Sequence, residues 1–75
     1  MSAKGDIGWA VDQLRMGDKV RRVGWNSKDI WLELQVPDAK SKMTLPYVYL
    51  TTASDGRVPW TCSQTDLLAD DWEIA

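Results

Sequence analysis

The stretch IWLELQV, residues 30–36, alternates apolar and polar side chains along its whole length. Successive side chains of an extended chain point to opposite sides, so Ile30, Leu32, Leu34 and Val36 share one face while Trp31, Glu33 and Gln35 share the other. The pattern predicts a half-buried strand with its aliphatic side in a core and a tryptophan outside it. Upstream, KVRRVGW (19–25) carries β-branched Val20 and Val23 and stops at Gly24, a short strand joined to the first by the polar turn NSKD (26–29). Further upstream, Ile7, Ala10, Val11 and Leu14 recur at i, i+3, i+4 and i+7, the stripe of an amphipathic helix over residues 6–16. Asp6 is placed to cap its start and Gly17 to end it.

Downstream, PDAKSKMTLP (37–46) is polar and bounded by prolines, and reads as a loop. YVYLTTA, the turn SDG and RVPW then make a β-hairpin over residues 47–60. Ser63 stands three residues before Asp66, a capping-box spacing with Asp in place of Glu, ahead of Leu67 and Leu68, which predicts a helical turn. DWEI (71–74) closes the chain as a last short strand. The expected class is α+β: an N-terminal amphipathic helix, a small, mainly antiparallel sheet and a short C-terminal helical turn, in one domain over residues 1–75.

A domain of 75 residues buries only about 60% of the surface its unfolded chain exposes. The lone Cys62 closes no internal disulfide, and a sequence without histidine offers no Cys/His cluster for zinc. Oligomerisation, dense aromatic packing or both must supplement the core. Five tryptophans supply the second, so each has a packing reading beside any functional one. No signal-type stretch and no run of 18 apolar residues occurs, and the expected location is the cytoplasm, off the membrane. A net charge of −2 argues against binding polymeric nucleic acid, yet leaves room for a small phosphorylated ligand.

Catalysis finds little support. The usual base near neutral pH is missing, and Cys62 has no imidazole to activate it. Adjacent Asp70 and Asp71 diverge on a strand or a helix, a poor geometry for a carboxylate dyad or a metal clamp, and read as solvated charges. No catalytic residue, metal ligand or cofactor is expected. Ligand binding fits better. Trp25 and Asn26 form a GWN turn, Trp31 leaves the polar face of its strand, and Trp60 directly precedes TCSQTD. Indoles beside amides, hydroxyls and a carboxylate suit a nucleotide, whose base stacks on an indole for about 1–3 kcal/mol. Amides around Ser63 and one of Arg21 or Arg22 could meet its phosphates. Only one of these arginines can share a face with a pocket, and spacing does not choose between them; Arg22 is taken as the site residue. Asn26, Ser63 and the arginines also have plain readings as turn former, cap and solvated strand face.

The helix followed by GDKVRRVGWN, the strand IWLEL, and DGRVPWTCSQTDLLADDWEI resemble the Thoeris anti-defense 2 family of small phage and prophage proteins, which ends in a W..SQTD.LA.DWE signature. The resemblance runs over residues 7–74. It implies a sponge that binds cyclic nucleotide immune signals, notably glycocyclic ADP-ribose, and holds them without cleavage; some relatives also capture cyclic oligonucleotides of the CBASS pathway at a separate site. It further implies a homo-oligomer, tetramer or dimer, with pockets at subunit interfaces, acting in the cytoplasm of the infected host. Matched by motif, the ligand-binding residues are Trp25, Asn26, Trp31, Trp60, Ser63, Gln64, Thr65 and Asp66, joined by Arg22. Trp72 is assigned instead to the core or an interface. One departure is the short 37–46 loop, where many members have a longer segment. The rival expectation is a protein-interaction module or phage accessory domain without a small-molecule ligand.

Overall fold

The computed structural model describes residues 5–25 and 29–75. Helix α1, Ile7–Arg15, opens at Asp6, whose Oδ1 accepts the Trp9 amide at 2.7 Å. That bond satisfies one of the donors left over at a helix start. At the other end Gly17 adopts φ +92°, and the amides of Gly17 and Asp18 return to the carbonyls of Leu14 and Gln13 at 3.1 and 3.0 Å. This is a Schellman termination, which glycine enters without a Cβ clash. The apolar stripe then buries Ala10 and Leu14.

Strands β1 (Val20–Arg22), β2 (Trp31–Gln35), β3 (Tyr47–Thr51), β4 (Arg57–Pro59) and β5 (Trp72–Ile74) form one antiparallel sheet in the order β4-β3-β2-β1-β5. The C-terminal strand therefore docks beside β1, with Arg22 opposite Trp72 and Val20 opposite Ile74. Gly5 secures this edge: its carbonyl accepts the Trp72 amide at 2.9 Å, and a Cβ on it would stand 2.6 Å from the Asp70 carbonyl oxygen. The hairpin of β3 and β4, the 37–46 loop and the last strand follow the sequence reading. So does helix α2, Gln64–Leu67, with the Asp66 amide bonded to Ser63 Oγ at 3.1 Å.

Ala10, Leu14, Val20, Leu32 and Trp72 make the buried core, on the sheet face that α1 covers. Leu50, opposite Leu32, extends this face toward β4. Val36 departs from expectation. It lies beyond the end of β2 and is 65% exposed, because the pairing with β3 stops at Gln35 and Tyr47 and nothing continues the ladder to hold it inward.

The opposite face carries Trp31, Glu33 and Tyr49. Trp31 Nε1 and the Tyr49 hydroxyl donate to the two oxygens of Glu33 at 2.8 and 2.5 Å. Lys19 Nζ stands 4.9 Å from the centre of the Trp31 ring and 3.7 Å from Glu33. The Tyr49 bond, ahead of the Trp31 bond and the Lys19 charge, holds the Glu33 carboxyl below its ordinary range. Among the described residues, no helix is long and apolar enough to cross a membrane.

Candidate functional site

Trp72 organises the core face at the α2 end of the sheet. The Trp25 ring meets it edge-on at 5.4 Å between centroids and 78° between planes, and Trp60 does the same at 5.9 Å and 86°. Perpendicular indole contacts of this kind set ring orientation as well as burying area. Trp72 Nε1 also donates to the Asp66 backbone carbonyl at 3.2 Å, tying α2 to the start of β5. Since Trp72 itself is 3% exposed, two partly exposed tryptophans stand on a buried one.

Polar contacts complete the arrangement. Arg22 Nη1 donates to Asp66 Oδ1 at 2.8 Å, and its Nε donates to Asp71 Oδ1 at 2.7 Å. Trp25 Nε1 reaches the same Asp66 Oδ1 at 3.3 Å. Asp71 Oδ2 accepts the Gly24 amide at 2.8 Å, which anchors the turn carrying Trp25. The hydrogen bond from Arg22 is the main cause that holds the Asp71 carboxyl below its usual range, and the Asp71 and Asp66 bonds in turn raise the arginine pKa. Asp71 is thus not the solvated charge that the sequence suggested. Among the described residues, one cation faces two carboxylates here.

Beside this cluster opens a cleft of about 530 Å³, walled by Trp25, Trp60, Ile30, Leu50, Pro59 and Asp66. The volume falls within the span of roughly 300–1,000 Å³ of small-molecule sites, and walls that are mostly apolar with, among the described residues, one charged group match their usual make-up.

A family model, the Thoeris anti-defense 2-like domain, matches residues 5–75. The chain belongs to that family. A relative from Bacillus phage SP01 named "Thoeris anti-defense 2" is 33% identical over 87 residues, covering 99% of this chain and 98% of that protein. The aligned length exceeds the 75 residues here, so the relative carries segments with no counterpart in this member of the Thoeris anti-defense 2-like family.

Of the residues expected to bind ligand, the structure brings Trp25, Trp60 and Asp66 together at the cleft, with Arg22 directly behind Asp66. Trp31 stands on the opposite sheet face with Lys19 and Glu33. Ser63, Gln64 and Thr65 are exposed and lie outside the cleft walls; Ser63 acts as the helix cap. Asn26 falls outside the described residues. Sequence reasoning missed Asp71, which orients Arg22, and Ile30, Leu50 and Pro59, which line the cleft. The apolar three carry no local signal beyond strand pattern, while the pairing of Asp71 with Arg22 needs β5 to sit beside β1. Among the described residues, no group of three His, Cys, Asp or Glu side chains is placed to hold a metal ion.

Proposed function

We propose that this protein is a phage anti-defence sponge, which binds a cyclic nucleotide immune signal in the Trp25–Trp60 cleft and sequesters it without cleavage. Glycocyclic ADP-ribose is the candidate for this cleft, and CBASS cyclic oligonucleotides are a second candidate ligand, at a separate site. The observation that carries the reading is the cleft itself: two indoles set by Trp72 beside the Asp66 carboxylate, in a chain of the Thoeris anti-defense 2-like family. Holding rather than turning over the signal agrees with the residues present. The sequence has no histidine, and Cys62, the one thiol, has its pKa raised by local desolvation and then by the charge of Asp66. A raised thiol pKa leaves little thiolate to act as nucleophile.

The thin core, with Met16, Leu45, Leu68 and Val36 all more than 60% exposed, supports a homo-oligomer, dimer or tetramer, in the cytoplasm of the infected cell. Purified protein incubated with glycocyclic ADP-ribose, freed of unbound ligand and heat-denatured should release the intact molecule, detected by mass spectrometry, at no more than one equivalent per site. Appearance of a cleavage product beyond one equivalent refutes the sponge, and absence of retained ligand refutes glycocyclic ADP-ribose as the signal. A monomeric mass by light scattering at micromolar concentration removes the oligomer.

A further inference from the structure

Among the described residues, Asp66 contributes the one carboxylate on the cleft wall, and the contacts around it hold it there. Its Oδ1 takes both bonds, from Arg22 and from Trp25, while Oδ2 receives no hydrogen bond from the described residues. Three of the five Arg22 N–H groups are already engaged, Nε and Nη2 with Asp71 and Nη1 with Asp66, so two carboxylates offset the positive charge that an incoming anion would seek. A phosphate entering beside Asp66 would meet negative charge in a half-buried setting, where like charges repel more strongly than in water. A hydroxyl or amino group would instead find an acceptor, and a planar ring would find indole faces.

We infer that the cleft takes the uncharged nucleoside part of its ligand, base and ribose, with a ligand N–H or O–H donating to Asp66 Oδ2, and that the phosphates point out of the cleft. The inference rests on the nucleotide reading above and sharpens it. Arg22 is then a positioning residue that fixes the carboxylate, and contacts to the phosphates, where they exist, come from outside the cleft walls.

The test follows tryptophan fluorescence on adding adenosine, glycocyclic ADP-ribose or inorganic pyrophosphate at low and high sodium chloride. Adenosine is expected to quench fluorescence and to displace glycocyclic ADP-ribose, pyrophosphate to do neither, and rising salt to leave the affinity unchanged or stronger. Asp66→Asn should weaken adenosine by about tenfold or more, as expected for loss of a charged hydrogen-bond acceptor. Displacement by pyrophosphate, a steep loss of affinity with salt, failure of adenosine to bind, or unchanged adenosine affinity in Asp66→Asn each overturns the inference. Should Asp66→Asn not fold, the salt and competition measurements on the unaltered protein decide alone. The two readings fail separately: retained glycocyclic ADP-ribose that pyrophosphate displaces sinks only this inference, whereas adenosine binding without any retained cyclic nucleotide sinks the sponge and leaves the inference standing.

Discussion

Arg22 on β1 and Asp66 in α2, 44 positions apart in sequence, meet at 2.8 Å beside the cleft. Their side chains are 17% and 14% exposed, so the pair is screened less than a surface salt bridge. It couples the cap helix to the sheet and places a carboxylate on the cleft wall.

Removing that carboxylate charge should therefore cost stability as well as binding. Asp66→Asn leaves Arg22 with Asp71 as its remaining partner, so the loss should lie between that of an exposed pair and a fully buried one, about 1–3 kcal/mol. Urea unfolding measures it. A midpoint equal to that of the unaltered protein would show that the pair is energetically idle.

Ser63→Ala should separate capping from binding. Ser63 Oγ accepts the Asp66 amide but does not line the cleft, so the substitution should cost about 0.5–2 kcal/mol of stability while leaving ligand affinity within a few-fold. Thermal unfolding with and without glycocyclic ADP-ribose reads both quantities. Loss of affinity greater than the loss of stability would move Ser63 into the binding site.

Trp72 and Trp31 make opposite predictions. Replacing buried Trp72 with Ala should cost about 3–5 kcal/mol and release Trp25 and Trp60 from their edge contacts; Trp72→Leu should fold better yet still bind weakly. Trp31→Phe, on the other sheet face, should leave affinity at the cleft unaltered by calorimetry. A tenfold loss in Trp31→Phe would mean that the outer face takes part in binding.

Acid should weaken the fold through Asp71 and Glu33, whose carboxyls are held below their ordinary range by Arg22 and Tyr49 respectively. A depressed folded pKa contributes stability that is complete above the unfolded value of about 4 and is lost as pH falls through the lower folded value. The urea midpoint should hold steady down to about pH 5 and drop below about pH 4. Asp71→Asn should start lower and fall less steeply over that acid range. An equally steep fall in the variant would assign the acid sensitivity elsewhere.

The local elements of this protein are legible in its sequence because their causes are local. Asp6 and Gly17 bound α1 through contacts within a few residues, the period of two in IWLELQV fixes which side of β2 is buried, and Ser63 caps α2 three residues on. Trp25, Trp60 and Asp66 could be picked out as well, since aromatic and polar groups crowd their motifs. Which of the motifs share a site was not legible. That depends on β5 crossing to pair with β1, a contact between positions some 50 residues apart, such as Arg21 with Glu73. This pairing buries Trp72 beneath the two site tryptophans, brings Asp71 to Arg22, and leaves Trp31 on the far side of the sheet. Sequence alone set the faces of each element, through backbone periodicity and caps. Only the tertiary structure decided which faces meet, because strand order is chosen by long-range burial and charge pairing that no short stretch contains.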